Sequence, residues 1–589
     1  MAANVDAFPL IARIDVNTPI DTLSPMITKI PLHLCLTLGL LTGSLPAKEA
    51  TPEEKTAEYI QGLIKSDSHA ITVLYGREGK IIFNSGFGYS DIEERKIAMP
   101  GGGLASEPTA RGTKFRIGSI TKQFTAAAIL KLAEAGKLSL TDPLAKYFPD
   151  IPNAKDIPLH QLLTHTSGIH SFTDRPDFLQ QVTQPTTPAA LIKSMQDDTP
   201  DFAPGKGFHY NNSAYFLAGE IVANVSCQPF GFYLEETFFK PLRMKSTGIY
   251  DNANPPPGAA KGYEVTDGVA KPALEWDMSW AGGAGALYST AADLFKWSEA
   301  LHNGKVLSAA SYKAMTTPVT LPEGVEGMRY GYGLVMGELG GLPIIDHGGG
   351  LNGWSSDLLY FPAQRTTIVV LANALPTIKG LEPSGIAQTI GKNVLAEEIK
   401  KIPPPTIDTT VDPKTYAALA GRYDYKTAIL TVTVEDDKLY AQLTGQEKYE
   451  LFPSAPREFF WKITDAKVKF LANDKGEITA ARHTQNGTTF NAARLPATDE
   501  MKLTDAELDA ILGDYTYSPA MTLTVTRKDN QIFAKMTNQP EVPIFPKSAT
   551  EYEWKIVPAS IEFIKDKEGK VTKAIHHQGG QTLEAPKVK

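Results

Sequence analysis

The run "LTVTVEDDKLYAQLTGQ" at 430–446 returns as "LTVTRKDNQIFAKMTNQ" at 523–539. The offset between Leu430 and Leu523 also separates Trp461 from Trp554, Gly476 from Gly569 and His483 from His576. Each copy alternates apolar and polar residues in short runs broken by Asp, Asn and Gly, the pattern of a small antiparallel barrel. The last third of the chain is thus constrained to two copies of one all-β module, expected at 413–497 and 503–589. Because His483 and His576 recur in register, a shared packing or turn role accounts for them better than metal binding.

A chain of 589 residues exceeds what one core can organise, so several domains are expected. "KKIPPPTIDTTVDP" reads as a linker, placed at 401–412, and separates the repeats from a region at 51–400 of different texture. "TPEEKTAEYIQGLIKS" has the Thr cap, early Pro and first-turn Glu residues of a helix start. "AITVLYGREGKIIFNSGFGYSD" reads as a hairpin around "REGK". "LPIIDHGGG", "SSDLLYFPAQ" and "TTIVVLANA" form later strands, followed by a helix from about Glu382 to Ile399. The pattern predicts an α/β unit closed by both ends of the region, with a helical insert. Hydrophobic content of 42%, charged content of 21% and a net charge of −8 without a basic block describe a globular chain and argue against nucleic acid as a partner.

Two cysteines occur, Cys35 and Cys227. Cys35 lies in "MITKIPLHLCLTLGLLTGSLPAKEA", where a Lys, a short apolar stretch and small residues follow in signal-peptide order. The three Asp residues before Met26 suit a secretory leader poorly. Translation is therefore expected to start at Met26, with cleavage near Ala47 or Ala50 and residues 1–50 as a leader region. The protein is expected in the periplasm or outside the cell, with no stable membrane span after cleavage and no intramolecular disulfide.

"RIGSITKQFTAAAILKLAEAGKL" places Ser119 and Lys122 three positions apart at the start of a helix. Positions i and i+3 share a helix face, so the Lys122 amine lies beside the Ser119 hydroxyl. Unpaired N–H groups and the positive dipole end favour negative charge there. A lysine that loses its proton in a desolvated site can activate such a hydroxyl. Ile120, Phe124, Ala127, Ala128 and Leu132 supply a buried stripe, and Gly136 stops the helix. This is the only S-x-x-K in the chain. Tyr210-x-Asn212 precedes an amphipathic helix, whereas Tyr250-x-Asn252 sits in a Pro-rich loop. His347-x-Gly349 lies in a glycine-rich strand, whereas His302-x-Gly304 ends a helix. His160, His165 and His170 do not share one helix face, so a zinc site is not expected. Trp280, Tyr288 and Trp354 are candidates for a cleft lining.

Six segments in order, "FRIGSITKQFTAAAILKLAEAGKLSLTDPLAKYFP", "IPLHQLLTHTSGI", "FHYNNSAYFLAGEIV", "PLRMKSTGIY", "AGGAGALYSTAADLFKW" and "DHGGGLNGWSS", resemble the serine β-lactamase and penicillin-binding superfamily. The branch is that of class C β-lactamases, family VIII carboxylesterases, DD-carboxypeptidases and D-aminopeptidases. The double tail resembles the lipocalin-like modules that follow the catalytic domain in D-aminopeptidases of this branch.

The resemblance implies a β-lactamase-like catalytic domain, an antiparallel sheet with flanking helices and a helical subdomain, followed by two small antiparallel barrels. It also implies acyl transfer without metal or organic cofactor. Ser119 would attack the carbonyl, Lys122 and Tyr210 would share its proton, and a Tyr210 phenolate held by the Lys122 charge would be the stronger base. Asn212 would bond the substrate's amide, and the N–H groups of Ser119 and Gly350 would form the oxyanion hole. Gly349 and its neighbours would allow close approach of backbone to substrate. His347 would orient the substrate or a leaving-group carboxylate. β-Lactamases of the superfamily usually carry Lys at that position, so efficient β-lactam hydrolysis is not expected. Small peptides, amides or esters are the expected substrates, and a tail folded over the cleft would keep them short. A non-catalytic ligand-binding or sensor protein is the alternative of another class.

Overall fold

The computed structural model describes residues 51–63, 68–93, 112–266, 268–322, 325, 327–425, 428–485, 488–496, 503–518, 521–528, 531–537, 541–554, 559–578 and 581–588. The leader and its cleavage sites, with Cys35, lie outside the described residues. Cys227 is an exposed free thiol.

Helix α1, Pro52–Leu63, starts where its cap demands. The Glu54 N–H donates to Thr51 Oγ1 at 3.2 Å, and Thr51 N–H donates back to the Glu54 carboxylate at 2.8 Å. Strands β1, Ile71–Arg77, and β2, Lys80–Phe87, form the expected hairpin. The chain continues through helices α2, Thr121–Glu134, α3, Asn212–Ser226, and α4, Ala291–His302. Strands β3, Val335–Leu339, β4, Leu342–Leu351, β5, Trp354–Phe361, and β6, Thr366–Ala372, follow. Helices α5, Pro383–Val394, and α6, Ala396–Lys400, replace the single helix expected there, because Leu395 leaves helical geometry at φ −107°, ψ 22°.

The six strands make one antiparallel sheet in the order β2-β1-β6-β5-β4-β3, so the first hairpin of the region is zipped onto its last strand. Both faces are covered, which is why β5 and β6 are buried along their whole length and read as continuous apolar runs. Val73, Tyr75, Leu359, Ile368 and Val370 face one way, packing with Ile60 of α1 and Ile386 and Ile390 of α5. Leu74, Leu358, Val369 and Leu371 face the other, into the core shared with α2, α3 and α4. Helix α2 is buried on every side from Thr121 to Leu130, and not only along the expected stripe. Its Ala126, Ala127 and Ala128 let neighbouring elements approach from all directions.

Beyond Gly421 the two repeats each form eight antiparallel strands. The first, Gly421–Asp424 through Thr488–Arg494, is a closed barrel. The second, Gly513–Ser518 through Gln581–Pro586, brings its first strand to its last at the Tyr515–Lys587 bridge. Each entrance is fixed by a buried tyrosine bonded four residues back, Tyr423 to Leu419 O at 2.6 Å and Tyr515 to Ile511 O at 2.7 Å. Each contains the same aromatic group: Tyr425, Trp461 and His483 in the first, Tyr517, Trp554 and His576 in the second. The repeated histidines therefore pack against aromatic rings. Among the described residues no helix is long and apolar enough to cross a membrane.

Candidate active site

The backbone around Ser119 is forced into place from three sides. Gly118 has φ +49°, and a Cβ there would lie 2.9 Å from Gly350 N, so both conformation and space require glycine. A Cβ at Gly349 would lie 2.0 Å from Ile117 O. Ser356 Oγ donates to the same Ile117 O at 3.0 Å. Strand β4 thus lies directly against the turn that carries the serine. A short 3-10 turn, Gly118–Ile120, then runs into α2.

Lys122 is fully buried and its amine touches three oxygens: Ser119 Oγ at 3.0 Å, Asn212 Oδ1 at 2.8 Å and Ala284 O at 2.9 Å. Burial holds its pKa well below the ordinary lysine value. In the neutral amine two N–H bonds satisfy the two carbonyl-type oxygens, which can only accept. The remaining lone pair then faces the Ser119 hydroxyl, the arrangement a general base requires.

Tyr210 and Asn212 come from the entrance of α3. Asn211 caps that helix by accepting from Ala214 N–H at 2.7 Å. Asn212 N–H donates to Ser171 Oγ at 3.1 Å, and its side-chain amide donates to Thr173 Oγ1 at 3.1 Å. Burial raises the Tyr210 pKa, and its hydrogen bond with Ser119 offsets this only in part. Lys122 Nζ meets the Tyr210 ring, 4.8 Å from its centroid. Burial thus disfavours the charged form of both groups, the ammonium of Lys122 and the phenolate of Tyr210, since removing charges from water is costly.

His347 departs from expectation most clearly. Its ring is 4% exposed and both nitrogens are occupied, Nε2 by Tyr330 Oη at 2.8 Å and Nδ1 by Gly348 O at 2.6 Å. Burial, with Lys122 nearby, lowers its pKa to about 3. It stands behind Tyr210, outside the lining of the cavity, and presents neither charge nor donor to a substrate.

The cavity over Ser119 has a volume of about 350 Å³. Gly118, Asn212, Gly350 and Leu351 line it together with Phe172, Phe178, Trp276 and Trp280. Of the three aromatic candidates only Trp280 lines it. Tyr288 packs on Tyr250, and Trp354 packs on Phe115. Phe172, Phe178 and Trp276 were not singled out in the sequence, where nothing distinguishes them from core aromatics. The charged side chain in the wall, Arg175, is engaged by Asp198 and Ser194. All the lining residues fall between Gly118 and Leu351, so no described residue of the tail covers the cleft. The first barrel instead meets the sheet's edge, where Lys467 pairs with Glu338 of β3 at 3.6 Å. His160 bonds Leu140 O and His170 bonds Asp201, and no described cluster of His, Cys, Asp or Glu could hold a metal.

The sequence model of the β-lactamase family matches residues 57–387, more than half of the chain. The chain belongs to the β-lactamase and penicillin-binding family of serine hydrolases. A domain of unknown function (DUF3471) matches 406–494, which spans the first barrel. The putative penicillin-binding protein PbpX of Bacillus subtilis (strain 168) is 34% identical over 275 residues, covering 46% of this chain and 66% of that protein. Penicillin-binding protein 4* of the same strain is 26% identical over 430 residues, covering 68% of this chain and 90% of that protein. Among solved structures, D-amino acid amidase from Ochrobactrum anthropi SV3, complexed with L-phenylalanine, is 25% identical with a TM-score of 0.50. That likeness covers 59% of this chain and 98% of the amidase.

Proposed function

We propose that this protein is an exported serine hydrolase that forms an acyl-enzyme on Ser119 and cleaves amide bonds of small peptides, D-residues included. The observation that carries the reading is the buried Lys122 amine 3.0 Å from Ser119 Oγ, its pKa held well below the ordinary lysine value by burial. Lys122 takes the serine proton as Ser119 Oγ bonds to the carbonyl carbon. The oxyanion is held by the N–H groups of Ser119 and Gly350. Tyr210, kept protonated by burial, gives its proton to the departing nitrogen, and the Lys122 ammonium then returns the serine proton to Tyr210. Water then cleaves the ester and restores the hydroxyl. Phe172, Phe178, Trp276 and Trp280 favour an apolar or aromatic acyl residue, a preference in keeping with the amidase relative. The export element of the reading rests on residues 26–50 alone.

A fluorophosphonate probe should add one phosphonyl group by intact mass, and Ser119→Ala should abolish the addition. Equal labelling of that variant overturns the proposal. Absence of labelling in the wild type would favour the non-catalytic sensor.

A carboxylesterase is the second reading, and one observation favours it. Among the described residues the cavity wall holds no acidic side chain for a substrate ammonium, and its Arg175 cation is already paired with Asp198. Turnover of a short acyl nitrophenyl ester is compared with that of a D-phenylalanyl anilide. Ester cleavage without amide cleavage selects the esterase.

A further inference from the structure

Within "LLTHTSGI" lies His165, a buried histidine to which the chemistry above gives no task. It is 1% exposed and has φ +61°, a left-handed conformation that non-glycine residues hold only when their surroundings impose it. Two hydrogen bonds account for the constraint, and they flank Tyr210. The His209 N–H donates to His165 O at 3.0 Å, and the Asn211 N–H donates to His165 Nδ1 at 2.9 Å. The imidazole lies against the phenol ring itself, 4.3 Å between centroids at 39°. The Tyr330 ring also lies beside the imidazole, 4.5 Å between centroids, and Tyr330 is in turn bonded to His347.

We propose that His165 is a positioning residue, a splint that fixes Tyr210 against Ser119 through the backbone on both sides of the phenol. The inference rests on the serine-hydrolase reading above. The His165 ring packs on the Tyr210 phenol and its hydrogen bonds go to the residues on either side of that tyrosine, so it acts on the chemistry through Tyr210. Because Nδ1 accepts from Asn211, the ring proton resides on Nε2, which is buried and has no hydrogen-bond partner among the described residues. A buried donor left unpaired costs stability, so a tautomer chosen for packing alone would place the donor differently. Protonating the ring would displace the Asn211 N–H and place a positive charge beside the Lys122 site. Burial first, then Lys122, His347 and His209, hold its pKa well below the ordinary value, so the acceptor persists at neutral pH.

The test uses the full chain and a D-phenylalanyl anilide, or the ethyl ester of the same acid where the wild type cleaves only esters, because each leaving group takes the Tyr210 proton; kcat and KM are read separately. His165→Asn keeps an acceptor near the Nδ1 position and tolerates positive φ. His165→Gln carries the same amide one carbon too far, and His165→Leu has no acceptor. The expected result is kcat about 100-fold lower for Leu and Gln, with KM within about 3-fold and kcat of the Asn variant within about 5-fold of wild type. Should the Leu variant fail to fold, the contrast between Asn and Gln decides alone. Equal kcat for the folded variants and wild type, or an Asn variant no better than Gln, overturns the proposal. A wild-type protein whose Ser119 takes no fluorophosphonate overturns the serine-hydrolase reading instead, which is a separate outcome.

Discussion

The sheet-and-helix unit and the paired barrels bury different chemistry. Among the described residues, Lys122, Gln123, His165, Asn211, Asp293, His347, Asp357 and Asn373 are all buried in the first, whereas His576 is the one buried polar or charged residue beyond residue 400. The barrels are filled by Tyr423, Leu430, Val432 and Phe470, and by Tyr515, Leu523, Val525 and Phe563. Burying a polar group is costly unless each of its donors and acceptors finds a partner, and satisfied networks specify one geometry. The first unit therefore spends stability on exact placement of a few atoms. The repeats do not, which is why a diverged second copy could keep the same fold while its surface charges changed.

The sharpest contrast is between two lysines. Lys122→Met should lower acylation by about 10³- to 10⁴-fold, the range of a lost general base, while Lys469→Met on the first barrel, half-exposed and paired with Glu458, should leave it unchanged. In the wild type the acid limb of kcat/KM should rise with pH as the Lys122 amine loses its proton. Its midpoint should lie well below the ordinary lysine value, since burial disfavours the ammonium. A limb near pH 10, or equal effects of the two substitutions, would remove Lys122 from the base role.

Two glycines sharpen the same comparison at smaller amplitude. An added methyl at Gly349 meets Ile117 O at 2.0 Å, whereas one at Gly476, in a barrel turn, meets nothing within 4 Å. Gly349→Ala should push β4 off the serine turn and cost about 100-fold in acylation. Gly476→Ala, at φ +80°, should cost about 1 kcal/mol of stability and no activity. Acylation rates together with thermal melts separate the two outcomes.

What could be read from the sequence follows the same division. The repeat, the hairpin at 71–87, Ser119 with Lys122, and Tyr210 with Asn212 were legible because local rules decide them: alternation, turn chemistry and positions three apart on a helix. The cavity wall was not, because Phe172, Phe178, Trp276 and Trp280 converge from separate loops and look like ordinary core aromatics. The burial of His347 was equally invisible, since it depends on Tyr330 arriving from another segment. The charge balance of the Lys122–Tyr210 pair was beyond the sequence for a related reason: spacing places two groups side by side, but desolvation by the rest of the core biases their charge.

The smallest effect concerns the barrels themselves. Burial lowers the pKa of His483 and of His576 below the ordinary 6.5. Above that value neither the folded nor the unfolded chain carries the proton, and these histidines contribute nothing to the pH dependence. As pH falls below 6.5 the unfolded chain binds protons that the folded barrels refuse, so stability declines until the folded pKa is reached. Each histidine can contribute at most about 1.4 kcal/mol per pH unit across that window. The melting temperature should therefore drop between pH 7 and pH 5, and the double variant His483→Gln, His576→Gln should reduce the slope without altering Ser119 labelling at pH 7. His69, His302 and His347, held lower still by burial, obey the same linkage and add a slope from the catalytic unit over the whole of that range. If the double variant leaves the slope unchanged, the acid sensitivity belongs to the catalytic unit alone, and the barrel histidines have no share in it.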